Sequence, residues 1–483
     1  MATDSKETSS KPASELRRVL RVGDLVSLSV SSVGPLFSVA ATGGVMAAQA
    51  GWWTLPAIGI IAIPFIISGF VFRLLNRHFP HAGASYHWSA RVIGRTASHF
   101  QAWILILAYF LSIPPIIVPA SSYTIALIAP HMTPSPVLRI IVSAFWVLFA
   151  LLPLLLGSMP TARVTQVFLI IELASFLLLS ILGVENWHRL RVPIHFGPLP
   201  FKGIMIVAVV AATILDGWEI DSYASEESRR PKVDPGLGGI IGAFLALAFY
   251  AVLYPLMLGE TPLSHLANSS NPLAVWGERL VPGNPWVIGI PVLASTAGGL
   301  WLTSFILIRA LYAMGREKLV PQIFSRLSSR DVPQTATIIV LIGAFGVTVM
   351  QVLFSSLGSF FSLILASAGF FLVAEFFIDT ITASVFLTVG HKRMPEGQFQ
   401  KHEHRILRIG AIFSAITFGF FLVAFLIVGP KAIGSAIDFV ILFLVILGIV
   451  FTIKTNHSKA VFIFNSDLLP VEPEKQPQQQ VLS

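Results

Sequence analysis

The feature that most constrains this sequence is a series of long apolar runs separated by short polar breaks. A helix of ~20 residues, at ~1.5 Å per residue, crosses a hydrocarbon core of ~30 Å, and the runs reach that length. Hydrophobic residues make up 55% of the chain and charged residues 12%, a ratio that a soluble domain does not keep. The chain is therefore predicted to be an all-α integral membrane protein surrounded by a lipid bilayer.

Twelve runs are predicted to be transmembrane helices. They lie near residues 25–49, 54–75, 99–129, 136–157, 164–184, 202–222, 237–259, 286–314, 336–354, 358–389, 406–428 and 432–454. The run at 358–389 is long and is interrupted by Glu375 and Asp379. The predicted organisation is a tail at 1–22, helices 1–5 at 23–200, helices 6–10 at 201–400, helices 11 and 12 at 401–456, and a disordered tail at 457–483.

The basic residues indicate the orientation in the membrane. The first 22 residues carry Arg17, Arg18 and Arg21 and lack the short apolar core and cleavage site of a removable signal peptide. If this tail is cytoplasmic, most of the 32 Lys and Arg residues lie in inner segments, which is the positive-inside pattern. An even number of spans then places both termini in the cytoplasm, at a plasma or inner membrane. The net charge of +8 needs no nucleic-acid partner.

The composition also excludes several kinds of chemistry. The chain has no cysteine, so disulfides, thiolate metal sites and cysteine nucleophiles are absent. The 12 His residues lie mostly in predicted loops or near membrane edges and show no H-E-x-x-H spacing. No metal and no cofactor are predicted, and a membrane-embedded acyltransferase or protease is disfavoured.

Two predicted helices carry a break near their middle. Helix 1 contains the sequence SSVGPLF at 31–37, and helix 6 contains LDGWE at 215–219. An interior Pro removes one backbone hydrogen bond, and unwound backbone persists in a membrane only where it lines a cavity or binds something. Breaks at matching places in two halves are typical of inverted-repeat transporters with a site at the midplane. The alternative is an ordinary proline kink and a packing glycine.

The predicted substrate site consists of the residues at these two breaks. They are Ser31, Ser32, Val33, Gly34 and Pro35 in helix 1, and Leu215, Asp216, Gly217 and Trp218 in helix 6.

Ionisable side chains inside the predicted spans are mostly acidic. They are Glu172, Asp216, Glu219, Asp221, Glu375, Asp379 and Asp438, whereas Arg309 is the only base comparably placed. Such groups are costly in a membrane and usually functional. A carboxylate without a partner must be protonated, hydrated or opposite a cation. The predicted partners are H⁺, Na⁺ or a substrate ammonium, although Glu219 and Asp221 could simply be hydrated in a cytoplasmic funnel.

Four residues are predicted to hold the coupling ion. Glu172 lies nine residues after Arg163 in an almost wholly apolar stretch, close to the middle of the membrane, so it is predicted to load and release a proton. Thr303 and Ser304 offer two hydroxyl oxygens that could hold Na⁺, and Glu219 lies beside the helix 6 break. The alternative for Glu172 is a permanently protonated side chain that donates a structural hydrogen bond.

Glu375 and Asp379 are spaced i, i+4 and share one helix face. They could form a proton relay, or a structural pair that reaches a Lys or Arg of a neighbouring helix.

Three segments carry a family resemblance. They are PHAGASY at 80–86, DGWE at 216–219 followed by Glu226 and Glu227, and RALYAMGREKLVP at 309–321. With the helix pattern from about 20 to 450, the chain resembles the amino acid, polyamine and organocation (APC) superfamily of permeases. The resemblance implies a 5+5 inverted repeat with broken helices 1 and 6, two extra C-terminal helices, and alternating access, with Trp218 as an aromatic gate.

The chain departs from the family pattern at two positions. Pro35 stands where many relatives have the second Gly of a Gly-x-Gly signature, whose N–H groups hold the substrate carboxylate, and Pro has no N–H. Glu172 stands where some proton-coupled relatives have a Lys. The predicted function is proton-coupled symport of an amino acid or related amine, and the alternative is a sodium-coupled symporter or an exchanger.

Overall fold

Helices make up nearly all of the computed structural model, which describes residues 16–130, 132–353, 357–389, 403–458, 460 and 462. Within those residues, the sole β-type contact is a bridge between Leu20 and Ser228. The helices are α1 (Val22–Val33), α2 (Pro35–Ala50), α3 (Thr54–His78), α4 (Ala84–Val92), α5 (Arg95–Ser112), α6 (Pro114–Ile128), α7 (Pro136–Leu156), α8 (Ser158–Leu190), α9 (Phe201–Leu215), α10 (Ile220–Tyr223), α11 (Leu237–Glu260), α12 (Leu263–Ala267), α13 (Pro272–Leu280), α14 (Trp286–Arg316), α15 (Gln334–Leu353), α16 (Leu357–Thr388), α17 (Glu403–Ile433) and α18 (Ala436–Asn456).

Ten helical segments in the described part of the chain are apolar and long enough to cross a membrane. The first runs 57 residues, from Val22 to His78, and contains α1, α2 and α3. The helix Phe201–Leu215 is apolar but shorter. The prediction of an all-α, multi-pass membrane protein is confirmed, while the count of twelve spans stays a prediction.

Two predicted helices differ from those observed. The run at 99–129 is split, because α5 ends at Ser112 and Pro114 begins α6. A proline at a first helical position lacks an N–H that would be unpaired there anyway, so it favours a new start. The run at 358–389 is continuous through Glu375 and Asp379, and hydroxyls and an amide from neighbouring helices contact one oxygen of Glu375 and both oxygens of Asp379.

The helix α14 forms the centre of the bundle. Of its most apolar stretch, 89% is buried, against 22% for α18, so α18 lies at the periphery. Large apolar side chains point outward from the peripheral helices, among them Leu148, Ile170, Ile416 and Phe439. Such faces suit contact with lipid tails, which are as apolar as the side chains themselves.

Small residues let α1 and α11 approach closely. A Cβ added at Gly238 would lie 3.0 Å from the backbone of Leu25, and one added at Gly242 would lie 3.1 Å from that of Ser29. Small residues four apart on one helix face permit this backbone contact. The packing holds α1, and with it the helix 1 break, against the middle of the bundle.

Candidate functional site

The helix 1 break is an abrupt left-handed turn at one residue. Gly34 separates α1 from α2 with φ 53° and ψ 60°, a conformation that favours glycine. Pro35 is the first residue of α2. The Ser38 hydroxyl donates to the Val33 carbonyl at 2.9 Å, so the end of α1 is capped from within the next helix.

The first N–H groups of α2 are bound by side chains from other helices. The Leu36 N–H donates to Glu172 Oε1 of α8 at 3.1 Å, and the Phe37 N–H donates to Ser295 Oγ of α14 at 3.1 Å. The Ser295 hydroxyl in turn donates to Glu172 Oε1 at 2.6 Å. An acidic group is favoured at the positive N-terminal end of a helix. Glu172 is fully buried, and its second oxygen, Oε2, has no hydrogen-bond partner among the described residues.

The helix 6 break lies between α9 and α10. Asp216 is extended and Gly217 has φ 98°. The Gly217 N–H donates to both oxygens of Glu219, at 2.9 and 2.8 Å, so this carboxylate caps the unwound segment. Trp218 donates its Nε1–H to the Leu215 carbonyl at 2.7 Å. The side chains of the segment therefore satisfy much of its own unwound backbone.

The two breaks touch each other. A Cβ added at Gly217 would lie 2.9 Å from both the carbonyl carbon and the oxygen of Ser32. Beside this contact is a cavity of about 50 Å³, which has room for a few water molecules. Its walls are Ser32, Val33, Phe37, Ser38, Ala41, Thr42, Ser112, Pro115, Ile116, Thr213, Ile214, Asp216, Gly299, Thr303, Phe361, Leu365 and Ala368.

The predicted site residues occupy different positions around this cavity. Ser32, Val33, Asp216 and Thr303 line it. Gly34, Pro35 and Gly217 form the adjoining backbone, and Ser31 and Leu215 are buried beside it. Trp218 is also buried and packs edge-on against Phe72, at a ring distance of 5.3 Å, rather than lining the cavity. Ser304 is buried in α14, where its hydroxyl donates to the Leu300 carbonyl at 2.8 Å.

A second cavity adjoins the first. Its volume is about 460 Å³, and its walls include Tyr123, Ser269 and Ser270. Both cavities share Ala41 and Phe361 in their walls. The bundle is therefore more open at the end that carries Ser269 than around the two breaks.

At the opposite end of the bundle, ion pairs and hydrogen bonds join several helices, and we call this set the gate cluster (Ser158, Glu226, Glu227, Arg309 and Arg316). Arg309 Nε and Nη2 donate to the two oxygens of Glu227, each at 3.1 Å, and Nη2 also donates to Ser158 at 2.9 Å. Arg316 binds both oxygens of Glu226, at 2.9 and 2.6 Å. These contacts join the segment behind helix 6 to the end of α14 and the start of α8.

The gate cluster continues into the loop before α4. The Ala82 N–H donates to Glu226 Oε1 at 3.0 Å, and His81 Nε2 lies 2.9 Å from Arg316 Nη2. Burial would raise the pKa of the Glu226 carboxyl, but Arg316 outweighs it and holds this pKa below its usual value. Burial, together with the neighbouring His87, lowers the pKa of His81 well below its usual value. All three segments that carry the family resemblance meet here.

His81, His87 and Glu317 offer ligand atoms within 4.8 Å of one another. The two imidazole rings, however, are stacked at 3.7 Å with 13° between their planes. Parallel rings cannot both direct a nitrogen at one tetrahedral ion, and the Arg316 guanidinium repels a cation. The Tyr86 hydroxyl instead donates to Glu317 at 2.8 Å. The group is better suited to join the helices at this end of the bundle than to bind a metal.

A connected set of buried hydrogen bonds joins three of the predicted carboxylates. The Tyr109 hydroxyl lies 2.8 Å from Glu219 Oε1 and 3.4 Å from Glu375 Oε1. The Tyr223 hydroxyl donates to Glu375 at 2.6 Å, and the Gln101 amide donates to Asp379 at 2.6 Å.

Ser85 joins the two carboxylates of α16. Its Oγ lies 3.1 Å from Glu375 and 2.8 Å from Asp379. Hydroxyls and an amide therefore surround this pair, and no Lys or Arg of the described chain pairs with either residue.

Asp221 has a different position, since it accepts hydrogen bonds from the Gly236 and Gly239 N–H groups, at 2.6 and 2.8 Å, and caps the start of α11.

Sequence reasoning missed Ser295, Tyr109 and Tyr223. A serine in a spanning helix usually bonds its own backbone, so Ser295 carries no distinguishing pattern. Tyr109 and Tyr223 are single hydroxyls in apolar surroundings, a weak signal that becomes informative only once the carboxylates are placed beside them.

Comparison with known families decides the class of protein. Residues 20–452 match the family model described as "Amino acid permease". The chain belongs to this family. The match covers most of the chain and confirms the resemblance read from its motifs.

Known relatives of this permease are transporters. The branched-chain amino acid permease BcaP of Lactococcus lactis is 24% identical over 82% of this chain and 88% of its own length. BcaP of Bacillus subtilis is 24% identical over 67% and 72%. The methylthioribose transporter of the same species is 23% identical over 68% and 73%. These relatives agree with a transporter and not with an enzyme.

The fold of the permease also resembles a solved transporter. The crystal structure of the Eremococcus coleocola manganese transporter superposes with a TM-score of 0.57 at 13% identity, covering 90% of this chain and 94% of that one. At this identity the likeness concerns the fold alone.

Proposed function

We propose that this permease moves an amino acid or a related amine across the membrane by alternating access, coupled to proton symport through Glu172. The observation that carries the coupling is the Glu172 carboxyl itself. Both of its hydrogen-bond donors, the Leu36 N–H and the Ser295 hydroxyl, reach Oε1, while buried Oε2 has no partner among the described residues. A lone buried oxygen of this kind is the natural place for a proton.

The protonation state of Glu172 can also affect the helix 1 break. Glu172 bonds the N-terminus of α2, directly beside the helix 1 break. An ionised carboxylate binds that positive end more strongly than a neutral acid does. Protonation therefore weakens the link between α8 and α2, and deprotonation tightens it, which couples the charge of Glu172 to the position of α2.

The architecture we propose supports alternating access. It has twelve spans in a 5+5 inverted repeat, with helices 1–5 in residues 23–200, helices 6–10 in 201–400 and two further helices in 401–456. The gate cluster and both termini face the cytoplasm, and the 460 Å³ cavity faces outward. Closure by ion pairs at one end and an open cavity at the other are what an outward-facing or occluded conformer requires.

The experiment is proton-driven uptake into proteoliposomes by Glu172→Gln. Gln preserves the shape and can still accept from Leu36, but it cannot titrate. We expect the variant to bind substrate and to exchange it, and to lose accumulation driven by a pH gradient. Ser175→Ala, which removes a hydroxyl that bonds its own helix at Ile171, is the matched control. Wild-type accumulation by Glu172→Gln would remove Glu172 from the coupling.

Sodium is the alternative coupling ion, and Thr303 favours it because its side chain lines the cavity. A hydroxyl at a cavity wall is a suitable ligand for a hard cation. Accumulation that follows a sodium gradient at constant pH, and that is lost in Thr303→Val, would support sodium over protons.

A further inference from the structure

The N-terminus of α2 would be the natural place for a substrate carboxylate, but its N–H groups are not available. Pro35 has no N–H, Leu36 donates to Glu172, Phe37 donates to Ser295, and Ser38 donates to the Gly34 carbonyl at 2.8 Å within the helix. An internal carboxylate thus already occupies the position where helix N-termini hold anions. A substrate carboxylate would have to displace Glu172 from two hydrogen bonds.

The cavity beside this capped end carries one ionisable group. Asp216 is the single charged side chain among the described residues that line it, and no hydrogen bond from another described side chain reaches its carboxylate. Phe37, Ile116 and Leu365 provide apolar wall. A carboxylate with no side-chain partner at an enclosed, largely apolar surface favours a cation opposite it.

We infer that the substrate is an organic amine that lacks a carboxylate, with its ammonium at Asp216 and its apolar body against Phe37, Ile116 and Leu365. An α-amino acid would bring a second carboxylate close to Asp216, and the Leu36 and Phe37 N–H groups that could receive it are already bound to Glu172 and Ser295. An amine supplies a positive charge opposite Asp216. This inference rests on the proposed transport function and narrows its substrate class.

Three probes with one shared apolar body test the inference. They are 3-methylbutylamine, leucine, which adds a carboxylate to that amine, and 4-methylpentanoate, which has the carboxylate and no amine. Binding to the detergent-solubilised full chain is measured by thermal shift, since a ligand that binds the folded state raises the melting temperature. We expect the amine to bind and the other two not to bind. Loss of a charge-assisted hydrogen bond in Asp216→Asn should weaken amine binding about 10- to 100-fold.

Two variants show whether a change in binding comes from the site or from misfolding. Ser175→Ala should bind the amine as the wild type does. Glu172→Ser, which is too short to reach Leu36, should free the N-terminus of α2 and make leucine binding detectable. Leucine binding to the wild type as tight as that of the amine would overturn the inference. Failure of all three probes to bind would overturn it as well.

Uptake distinguishes this inference from the proposed function. Radiolabelled leucine that accumulates in proteoliposomes would refute the amine inference and support transport. Amine uptake without leucine uptake would support both. Absence of uptake for every amine and amino acid would refute both.

A second inference comes from the hydrogen bonds between α16 and the helix 6 break. Glu219, Glu375 and Asp379 are fully buried and are linked through Tyr109, Tyr223 and Ser85. We propose that these three carboxyls form a proton relay between the substrate cavity and the α4 end of the bundle. In each step a carboxyl gives its proton to a hydroxyl oxygen while that hydroxyl passes its own proton to the next carboxylate.

The charges around the relay require it to hold protons. Asp216 and Asp221 at the helix 6 break add two further carboxyls. The helix α5 adds Tyr109 and the Gln101 amide, α10 adds Tyr223, and α4 adds serine hydroxyls. Across the described residues of α3, α9 and α17, which also pack on α16, no charged side chain makes an ion pair with the three carboxyls. Several adjacent buried negative charges without a counter-charge are strongly disfavoured, so at least one proton is shared among them.

Glu375→Gln tests the relay with Thr380→Val as the control, because the Thr380 hydroxyl bonds its own helix at Phe376. We expect Glu375→Gln to keep the wild-type melting temperature and amine affinity within about twofold and to slow substrate-coupled H⁺ influx, followed with a trapped pH dye, at least about tenfold. A slowed influx with unchanged binding is not what a packing defect produces. Unchanged H⁺ influx would overturn the relay, and so would equal slowing by Thr380→Val.

Discussion

The contact between the two helix breaks can be tested by adding a single methyl group. Gly217 has φ 98°, and a Cβ there would lie 2.9 Å from the Ser32 carbonyl carbon and oxygen and 3.0 Å from the Val33 nitrogen. All three atoms are backbone, so no flexible side chain can turn away. In Gly217→Ala, the segments that form the substrate site must therefore separate by roughly half an ångström to reach ordinary contact distance.

The magnitude follows from two effects. An alanine at this φ costs about 1–2 kcal/mol, and overpacking of a close contact costs about 1–3 kcal/mol. We expect Gly217→Ala to lose about 2–5 kcal/mol of unfolding free energy. Because the shift occurs at the cavity wall, substrate affinity should also fall, by at least about tenfold.

The matched control is Gly346→Ala. Gly346 lies within α15, and a Cβ there would have no atom within 4 Å. An alanine in a helix interior is favoured over glycine by about 0.5–1 kcal/mol, so this variant should gain a little stability and transport normally. Denaturant unfolding in detergent and uptake into proteoliposomes measure both effects. If Gly217→Ala matches the wild type in both assays, the two breaks are not in contact and the site described here is misplaced.

Three further predictions concern the gate cluster and the topology. Arg309→Met leaves Glu227 buried without its partner and should cost about 3–5 kcal/mol in thermal unfolding, with part of the loss recovered when Glu227→Gln is added; no recovery would argue against the pair. The pKa of His81 is depressed below its usual 6.5, so its contribution to stability is full above pH 6.5 and is lost as the pH falls below it, with a slope of at most about 1.4 kcal/mol per pH unit. The stability difference between wild type and His81→Asn should follow that slope, and a difference that does not change with pH would contradict it. Single cysteines at 185–200 and 260–285 should react with impermeant reagents from outside, and labelling only from the cytoplasm would reverse the orientation.

The sequence alone determined the class of the protein and the places where its helices break. Apolar runs of spanning length leave a chain no stable alternative to helices in a membrane, and Gly34 with Pro35, or Gly217 between Asp216 and Glu219, are local signals that need no tertiary contact to act. The family motifs are also short stretches of consecutive residues, so they can be recognised without knowing the fold.

Only the tertiary structure decided which residues meet. The apolar stretch around Glu172 predicts its position near the middle of the membrane, but its partners Leu36 and Ser295 lie 136 and 123 residues away in the chain. Likewise, the i, i+4 spacing of Glu375 and Asp379 predicts that they share a helix face. The hydroxyls that contact Glu375 belong to Tyr109, Tyr223 and Ser85 on three other helices, and Ser85 also contacts Asp379. Hydrogen bonds depend on distances of about 3 Å, and helix packing, which the pattern along one chain does not encode, is what brings such distant residues that close.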